Sequence, residues 1–340
     1  MTEYWKNRFL KTSKDIYKAD DEYVKELFNI YKETTESLNA QISNILNSFE
    51  DMTMAEAKKM LNKAELRGFK DNLKDFERKS KGFITKDIEK ELELTYKRVR
   101  ISRLQAMEVE IKAYISNLLT KEQRNLFNHL TNVYKGAYYQ DIYELQKVTG
   151  FSTIKALSEI DVKNIVNTSW LNDGKGFSDR IWKRKDHLIN TLNREFRVAL
   201  ITGKSVNEIT KMISDKLNVS RSNAKRLVVT ESSAVCSKAR IETIRMVGAQ
   251  RYEIVATLDL RTSKICRAMD GKVFNENEYV QGITAPPFHV NCRSTIAPFY
   301  DDEIQDIIEG GKRIARDPVT GKSLYVDNTT YKEWYEKYVK

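Results

Sequence analysis

The distribution of proline is the feature that most constrains how this 340-residue chain can fold. All four prolines fall in the last fifth of the sequence, at Pro286, Pro287, Pro298 and Pro318. Proline interrupts helix interiors because it lacks a backbone N–H and because its ring clashes with the preceding turn. Its absence before Pro286 therefore permits helices of unusual length over most of the chain.

Apolar residues in the first half of the chain recur at helical spacing. Between residues 20 and 50 one stripe repeats every three or four residues, which is the pattern of an amphipathic helix. Its members are Tyr23, Leu27, Ile30, Tyr31, Leu38, Ile42, Ile45 and Phe49. Thr53 followed by Glu56 matches a capping box and predicts the start of a second helix. Residues 84–148 predict one or two further long helices with many charged side chains.

Serine residues mark the predicted helix starts in the middle of the chain. Ser178 follows a glycine-rich break and predicts an N-cap. Ser205 and Glu208 form a second capping box. Ser220 is predicted to open a further helix that continues to about Val247.

The period of the apolar pattern changes after residue 250. Apolar residues now alternate along the chain, which is the spacing of a half-buried strand. The alternating residues are Tyr252, Ile254, Ala256 and Leu258. Asp270-Gly271 is a hairpin-type turn signal, and residues 272–274 and 294–297 are further strand candidates.

These patterns predict a mainly α protein, in which a long helical N-terminal region precedes a small α+β domain. We expect an extended α-helical region over residues 1–150 and an α+β domain over residues 151–300, with its core motif at 225–298. Residues 301–340 are expected to form a C-terminal helical tail.

Three side chains near the end of the chain suggest a metal site. Cys266, His289 and Cys292 are residue types that bind zinc, and His289-x-x-Cys292 has a ligand-like spacing. Structural zinc takes four ligands, so Asp259, Asp270 or a water would have to complete the set. The alternative is a thiol-rich, hydrogen-bonded core that holds a loop together, since paired Cys-x-x-Cys knuckles are missing from the sequence.

A nucleophile and general base formed by Cys266 and His289 is a second alternative for the same residues. It requires contact between the two side chains and surroundings that stabilise a thiolate. Glu231 is interpreted as a structural carboxylate, paired with Arg293 or Arg240, because one carboxylate without a defined partner is not a mechanism.

Positive charge is concentrated in the middle of this chain, whose formal net charge is +10. Arg180, Lys183, Arg184 and Lys185 cluster beside Trp182. Basic side chains with an aromatic residue can contact phosphates and stack a base, which predicts a nucleic-acid site. The alternative places Trp182 in the apolar stripe of a helix and leaves the charges on a solvated face.

Several short motifs follow one another in order: Thr-Glu, then Asp...Thr-Ser...Cys, then Asp-Gly-Lys-Val-Phe, then Pro-Pro-x-His-x-Asn-Cys-Arg-Ser. This order resembles the phage head morphogenesis family, the minor head or minor capsid proteins of tailed phages that are similar to the phage Mu F protein. The resemblance covers about residues 160–300, whereas residues 1–150 match only in being long and helical. It implies structural roles for Thr230, Glu231, Asp259, Thr262, Ser263, Asp270, Gly271, Pro286, Pro287, Asn291 and Arg293.

The resemblance implies a virion protein rather than an enzyme. Such a protein is made in the host cytoplasm and is packaged at low copy in the capsid interior near the portal. It acts in head assembly with the portal protein and with capsid or scaffold proteins. Contact with double-stranded DNA and a role at DNA ejection are further implications.

Composition excludes other classes of protein. Three cysteines, an odd and sparse count, argue against a disulfide framework. We expect no membrane span, because no run of about 18 apolar residues is present, and the N-terminus lacks an apolar signal core. Two rival functions stay open: a metal-dependent nuclease or other enzyme that uses Cys266, His289 and Cys292, and a host nucleic-acid-binding protein unrelated to virions.

Overall fold

The computed structural model describes residues 2–149, 154–171, 173–257, 261–300, 314–316 and 323–325. The helices are α1 (Thr2–Leu46), α2 (Met54–Lys58), α3 (Lys63–Lys79), α4 (Lys86–Lys97), α5 (Arg103–Thr149), α6 (Glu159–Asn167), α7 (Phe177–Ile201), α8 (Val206–Met246) and α9 (Lys264–Met269). The strands are β1 (Arg251–Val255), β2 (Val273–Asn275), β3 (Thr295–Phe299), β4 (Ile314–Arg316) and β5 (Ser323–Tyr325). A single 3-10 turn follows β2 at Glu276–Glu278.

Helix length agrees with the missing prolines. Helices α1, α5 and α8 contain 45, 47 and 41 residues, several times the usual length of a globular helix. The predicted class, mainly α with a small α+β part near the C-terminus, is confirmed. Among the described residues no helix is both long enough and apolar enough to cross a bilayer.

Local start signals predict some helix boundaries correctly. Thr53 caps α2, because its side chain accepts the N–H of Glu56. Ser205 caps α8 through a full capping box, in which its hydroxyl accepts the Glu208 N–H and the Glu208 carboxylate accepts the Ser205 N–H. These caps form within four consecutive residues, so the sequence is sufficient to predict them.

The helix starts predicted at Ser178 and Ser220 are wrong. Helix α7 already begins at Phe177, and the Ser178 hydroxyl accepts a 2.6 Å hydrogen bond from the side chain of Gln123. Ser220 lies inside the unbroken helix α8, where its buried hydroxyl is 3.1 Å from the hydroxyl of Tyr31. Serine inside a helix can thus bond to another helix instead of capping its own.

The chain divides into two compact units, and each is assembled from separate segments. The first unit contains Met1–Tyr23, Phe127–Gly176 and Arg226–Lys340. The second contains Val24–Leu126 and Phe177–Lys225. Helices α1, α5 and α8 contribute residues to both. The predicted domain boundaries at residues 150 and 300 stay predictions. The two compact units are built from discontinuous segments, so they do not test boundaries that divide the chain into continuous regions.

In the second unit, α3, α4 and α5 share one apolar cluster. Its buried members are Phe69, Leu73, Phe76, Ile88, Leu92, Ile101, Ala106, Val109 and Ala113. Glu110 on α5 is also buried, with 1% of its surface exposed. Burial penalises the carboxylate and raises the pKa of Glu110 to about 8. This unit therefore holds an acidic side chain that is costly to ionise.

In the first unit, β1 is the central strand of an antiparallel sheet with the order β2-β1-β3. Tyr252 on β1 lies opposite Phe274 on β2, and Ile254 lies opposite Ile296 on β3. Tyr252, Ile254 and Ile296 are buried in a cluster that includes residues from the end of α8. A strand is present near each predicted position, although β1 ends at Val255, before Ala256, and Leu258 lies outside the described residues.

The described part of residues 301–340 is a pair of strands and not helix. Strands β4 and β5 pair antiparallel, with Ile314 opposite Tyr325 and Arg316 opposite Ser323. For these six residues the predicted helical tail is wrong, because each backbone bonds to the facing strand rather than along its own chain. The rest of the predicted tail lies outside the described residues.

Candidate functional site

The fold of the first unit brings together the side chains of Cys266, His289 and Cys292. The Cys266 Sγ lies 3.0 Å from the His289 Nε2 and 3.6 Å from the Cys292 Sγ. All three potential ligand atoms lie within 4.8 Å of one another. Both cysteines are buried and His289 is half-buried, so this thiol–imidazole cluster has one partly open side.

A short capped helix positions Cys266. Ser263 is the N-cap of α9, and its hydroxyl accepts the N–H of Cys266 at 3.2 Å. Ser263 therefore forms the cap, while the hydroxyl of the preceding Thr262 donates to the carbonyl of Thr257. The cap fixes the first turn of α9 and, with it, the direction of the Cys266 side chain.

A tight turn positions His289 and Cys292. The N–H of Cys292 donates to the carbonyl of His289 at 3.1 Å, which closes the turn between the two residues. Asn291 adopts a left-handed conformation with φ 60°, a region that asparagine tolerates better than most residues. The Pro286-Pro287 bond, just before this turn, is cis.

Helix α8 and helix α1 hold this turn in place. The N–H of Asn291 donates to the Thr230 Oγ1 at 3.0 Å, and the same hydroxyl donates to the Arg226 carbonyl at 2.7 Å. The hydroxyl of Tyr17 donates to the carbonyl of Arg293 at 2.7 Å. Thr230 and Asn291, although 61 residues apart, therefore belong to one contact.

One hydrogen bond sets the tautomer of His289. Its Nδ1 lies 2.8 Å from the carbonyl oxygen of Val290, which can only accept a hydrogen bond. Nδ1 therefore carries a ring proton, and Nε2 is the atom that faces the sulfur of Cys266. The Ser263 hydroxyl lies 2.8 Å from the same Nε2.

The two thiols are electrostatically unequal. A hydrogen bond from Cys292 to the sulfur of Cys266 is the main reason why the pKa of Cys266 is lowered. The same pairing, together with burial, raises the pKa of Cys292. Cys266 is thus the more acidic thiol of the pair. The contact that a nucleophile and a general base require is present between Cys266 and His289.

Of the two acidic residues considered as fourth ligands, the structure describes Asp270, which is not part of this cluster. The Asp270 Oδ1 accepts the backbone N–H of Ala256 at 2.7 Å, and Gly271 follows it with φ 75° in the predicted turn. Asp270 therefore stabilises the turn between α9 and β2. Asp259 lies outside the described residues.

Of the two partners predicted for Glu231, Arg240 is wrong, while pairing with Arg293 stays a prediction. Glu231 is buried inside α8, and its Oε1 accepts a 3.2 Å hydrogen bond from the indole of Trp170. Arg240 is fully buried and pairs instead with Asp141, with 3.1 Å between Nε and Oδ2. Arg240 also donates to the Ser13 hydroxyl and the Phe9 carbonyl, each at 2.9 Å. Sequence reasoning missed Asp141, because it lies 99 residues away on another helix.

The four basic residues proposed to bind nucleic acid do not share one exposed face. Arg184 forms an ion pair with the buried carboxylate of Glu122, so it is not available to a phosphate. Lys185 lies over the ring of Trp182 at 4.6 Å. Lys183 is exposed and Arg180 is half-buried. Nucleic-acid binding by the remaining three stays a prediction.

Comparisons with known proteins give a family for part of the chain. The model of the family described as Phage Mu protein F like protein matches residues 190–297. The NAD(+)--arginine ADP-ribosyltransferase EFV of Enterococcus faecalis (strain ATCC 700802 / V583) is 24% identical over 253 residues, which cover 70% of this chain. The chain spans about half the length of that curated relative, since the alignment covers 50% of it. No solved structure matches the chain.

The matched region contains the candidate site and the elements that support it. Residues 190–297 include α8, β1, α9 and β2, and they hold Cys266, His289 and Cys292. Over these residues, about a third of its length, the chain is similar to the phage Mu protein F like family.

Proposed function

We propose that this protein is a minor head protein of a tailed phage and that it acts in head morphogenesis. The observation that carries the proposal is the match of residues 190–297 to the phage Mu protein F like family. These residues include all of α8, β1, α9 and β2, and α8, β1 and β2 contribute to one apolar cluster. The match therefore concerns a folded part of the molecule.

The hydrogen bonding of the motif residues supports a structural role. The hydroxyl of Thr230 holds the N–H of Asn291, the carboxylate of Asp270 holds the N–H of Ala256, and Ser263 caps α9. General acid–base catalysis requires a group that can reach a substrate proton. These groups bind the protein's own backbone and so stabilise its loops.

The proposed location is the capsid interior beside the portal, at low copy. The proposed partners are the portal protein, capsid or scaffold proteins and packaged double-stranded DNA. A net charge of +10 supports the last of these, because basic proteins attract the phosphate backbone. A role at DNA ejection belongs to the same proposal.

An enzymatic function is the second candidate. Two observations favour it: the relative from Enterococcus faecalis is named as an arginine ADP-ribosyltransferase, and Cys266 contacts His289. The purified protein would be incubated with NAD(+) and an arginine-containing acceptor, or with DNA and a divalent metal. Transfer of ADP-ribose, or DNA cleavage that Cys266→Ser abolishes, would favour an enzyme over a structural protein.

Quantitative mass spectrometry of phage particles tests the proposed function. We expect the protein in procapsids and filled virions at a few copies per particle, and its loss from ghosts would add exit with the DNA. Particles from a phage with an early stop codon in this gene, complemented from a plasmid, provide the control. Absence of the protein from procapsids, virions and ghosts alike would refute the head assignment.

A further inference from the structure

We propose that Cys266, His289 and Cys292 bind one zinc ion, which joins α9 to the turn at residues 289–292. This inference concerns the purified protein and does not depend on the proposed role in the phage head. The ligand types are those of structural zinc sites, where thiolate sulfur and imidazole nitrogen predominate. A water molecule would complete the usual four ligands.

The distances between the ligand atoms fit a zinc ion. With zinc–sulfur bonds of about 2.3 Å, two sulfurs of a tetrahedral site lie about 3.8 Å apart. The observed separation between the Cys266 and Cys292 sulfurs is 3.6 Å. A nitrogen ligand would lie about 3.6 Å from each sulfur, whereas the His289 Nε2 is 3.0 Å from the Cys266 Sγ. A shift of His289 by about half an ångström, toward its open side, would complete the geometry.

The orientation of His289 is an independent argument for a metal. Zinc-bound histidines generally donate their second ring N–H to a carbonyl or carboxylate, which fixes the ring and its tautomer. The Nδ1 of His289 makes this bond to the Val290 carbonyl, and its Nε2 is the ring nitrogen that faces the Cys266 sulfur. A histidine that only filled space in the loop would not need this arrangement.

The surroundings explain what the metal would add. Cys266 and Cys292 pack in a small apolar cluster with Ala256 and Phe288. Around this cluster, the strands of the sheet are only three to five residues long. A metal ion bound to two segments adds its binding free energy to the stability of the contact between them. A zinc ion would link two segments, α9 and the turn, that otherwise meet through few apolar groups.

Metal analysis of the full-length protein, purified without chelators, tests the proposal. We expect about one zinc per chain, and we expect Cys266→Ser, Cys292→Ser and His289→Ala each to lose it. Cys236→Ser is the matched control, because Cys236 is a buried thiol on α8 outside the cluster, and it should keep the metal.

A second measurement uses wild-type protein, so it tests the proposal even if the variants fail to fold. Wild-type protein would be stripped with a chelator and titrated with Co²⁺, followed by absorption and by thermal unfolding. A thiolate-to-cobalt charge-transfer band that saturates at one equivalent, with a rise in unfolding temperature, would support the site. Folded wild-type protein that contains no zinc and gives no such band would overturn it. A metal-free Cys266–Cys292 disulfide in protein kept under reducing conditions would overturn it as well.

Discussion

Glu110 is expected to destabilise the folded protein at neutral pH, and replacing it with glutamine should relieve that cost. Its side chain is 1% exposed, and burial raises its pKa from 4.5 to about 8. A carboxyl whose pKa is raised in the folded state stabilises the fold fully only below the pKa of the unfolded chain. That stability is lost as the pH rises toward 8.

The size of the destabilisation follows from the interval between the pKa of Glu110 in the unfolded chain and its pKa in the folded protein. Each pH unit between the two pKa values costs about 1.4 kcal/mol. At about pH 7.5 the cost is about 4 kcal/mol, and at about pH 5.5 it is about 1 kcal/mol. Glu110→Gln keeps the shape of the side chain but cannot ionise. We therefore expect the variant to be more stable than wild type, and its gain in stability should be about 3 kcal/mol larger at the higher pH than at the lower.

Urea unfolding at the two pH values measures this difference. Tryptophan fluorescence and circular dichroism would be recorded together, since the two units could unfold separately. Glu93→Gln, which changes an exposed carboxylate on α4, is the matched control and should show little pH-dependent effect. A Glu110→Gln variant whose stabilisation is the same at both pH values would refute the argument, because the wild-type carboxyl would then not change its ionisation across the window.

Three further predictions concern other contacts. Arg240→Met should lower the free energy of unfolding by about 3–5 kcal/mol, because it leaves the buried Asp141 without its partner. The double variant Arg240→Met with Asp141→Leu should be more stable than Arg240→Met alone, which calorimetry would measure. Thr230→Val should lower the free energy of unfolding by about 1–3 kcal/mol and lower the unfolding temperature, because it leaves the Asn291 N–H without this acceptor. Thr230→Ser keeps the hydroxyl and should leave the unfolding temperature unchanged. Lys183→Glu with Lys185→Glu should weaken DNA binding and flatten its salt dependence in a fluorescence titration; an unchanged salt slope would exclude this patch.

The sequence predicts those features that depend on neighbouring residues. Missing prolines and capping residues such as Thr53 and Ser205 act within one or two turns, so long helices and several of their starts are predictable. The interior contacts of Ser178 and Ser220 are not, because the partner helices are distant in the chain. A serine hydroxyl looks the same in sequence whether it caps a helix or bonds across one.

In the candidate site, too, the sequence predicts local contacts and not contacts between distant segments. The spacing of His289 and Cys292 indicates that they lie close together, and a tight turn joins them. The approach of Cys266 depends on the path of α9 and the sheet, which the sequence does not define. Arg184 shows a different error: consecutive residues on a helix point in different directions, so a run of basic residues cannot all face one ligand.

The buried pair of Arg240 and Asp141 limits how this family region can be used by itself. Residues 190–297 contain Arg240 but none of the groups that bind its guanidinium, which come from α1 and α5. Expressed alone, the region would bury a cation without a counterion or hydrate a core position. In this chain, residues 190–297 therefore depend on α1 and α5 for a stable fold. A substitution at Arg240 would need matching substitutions in those two helices.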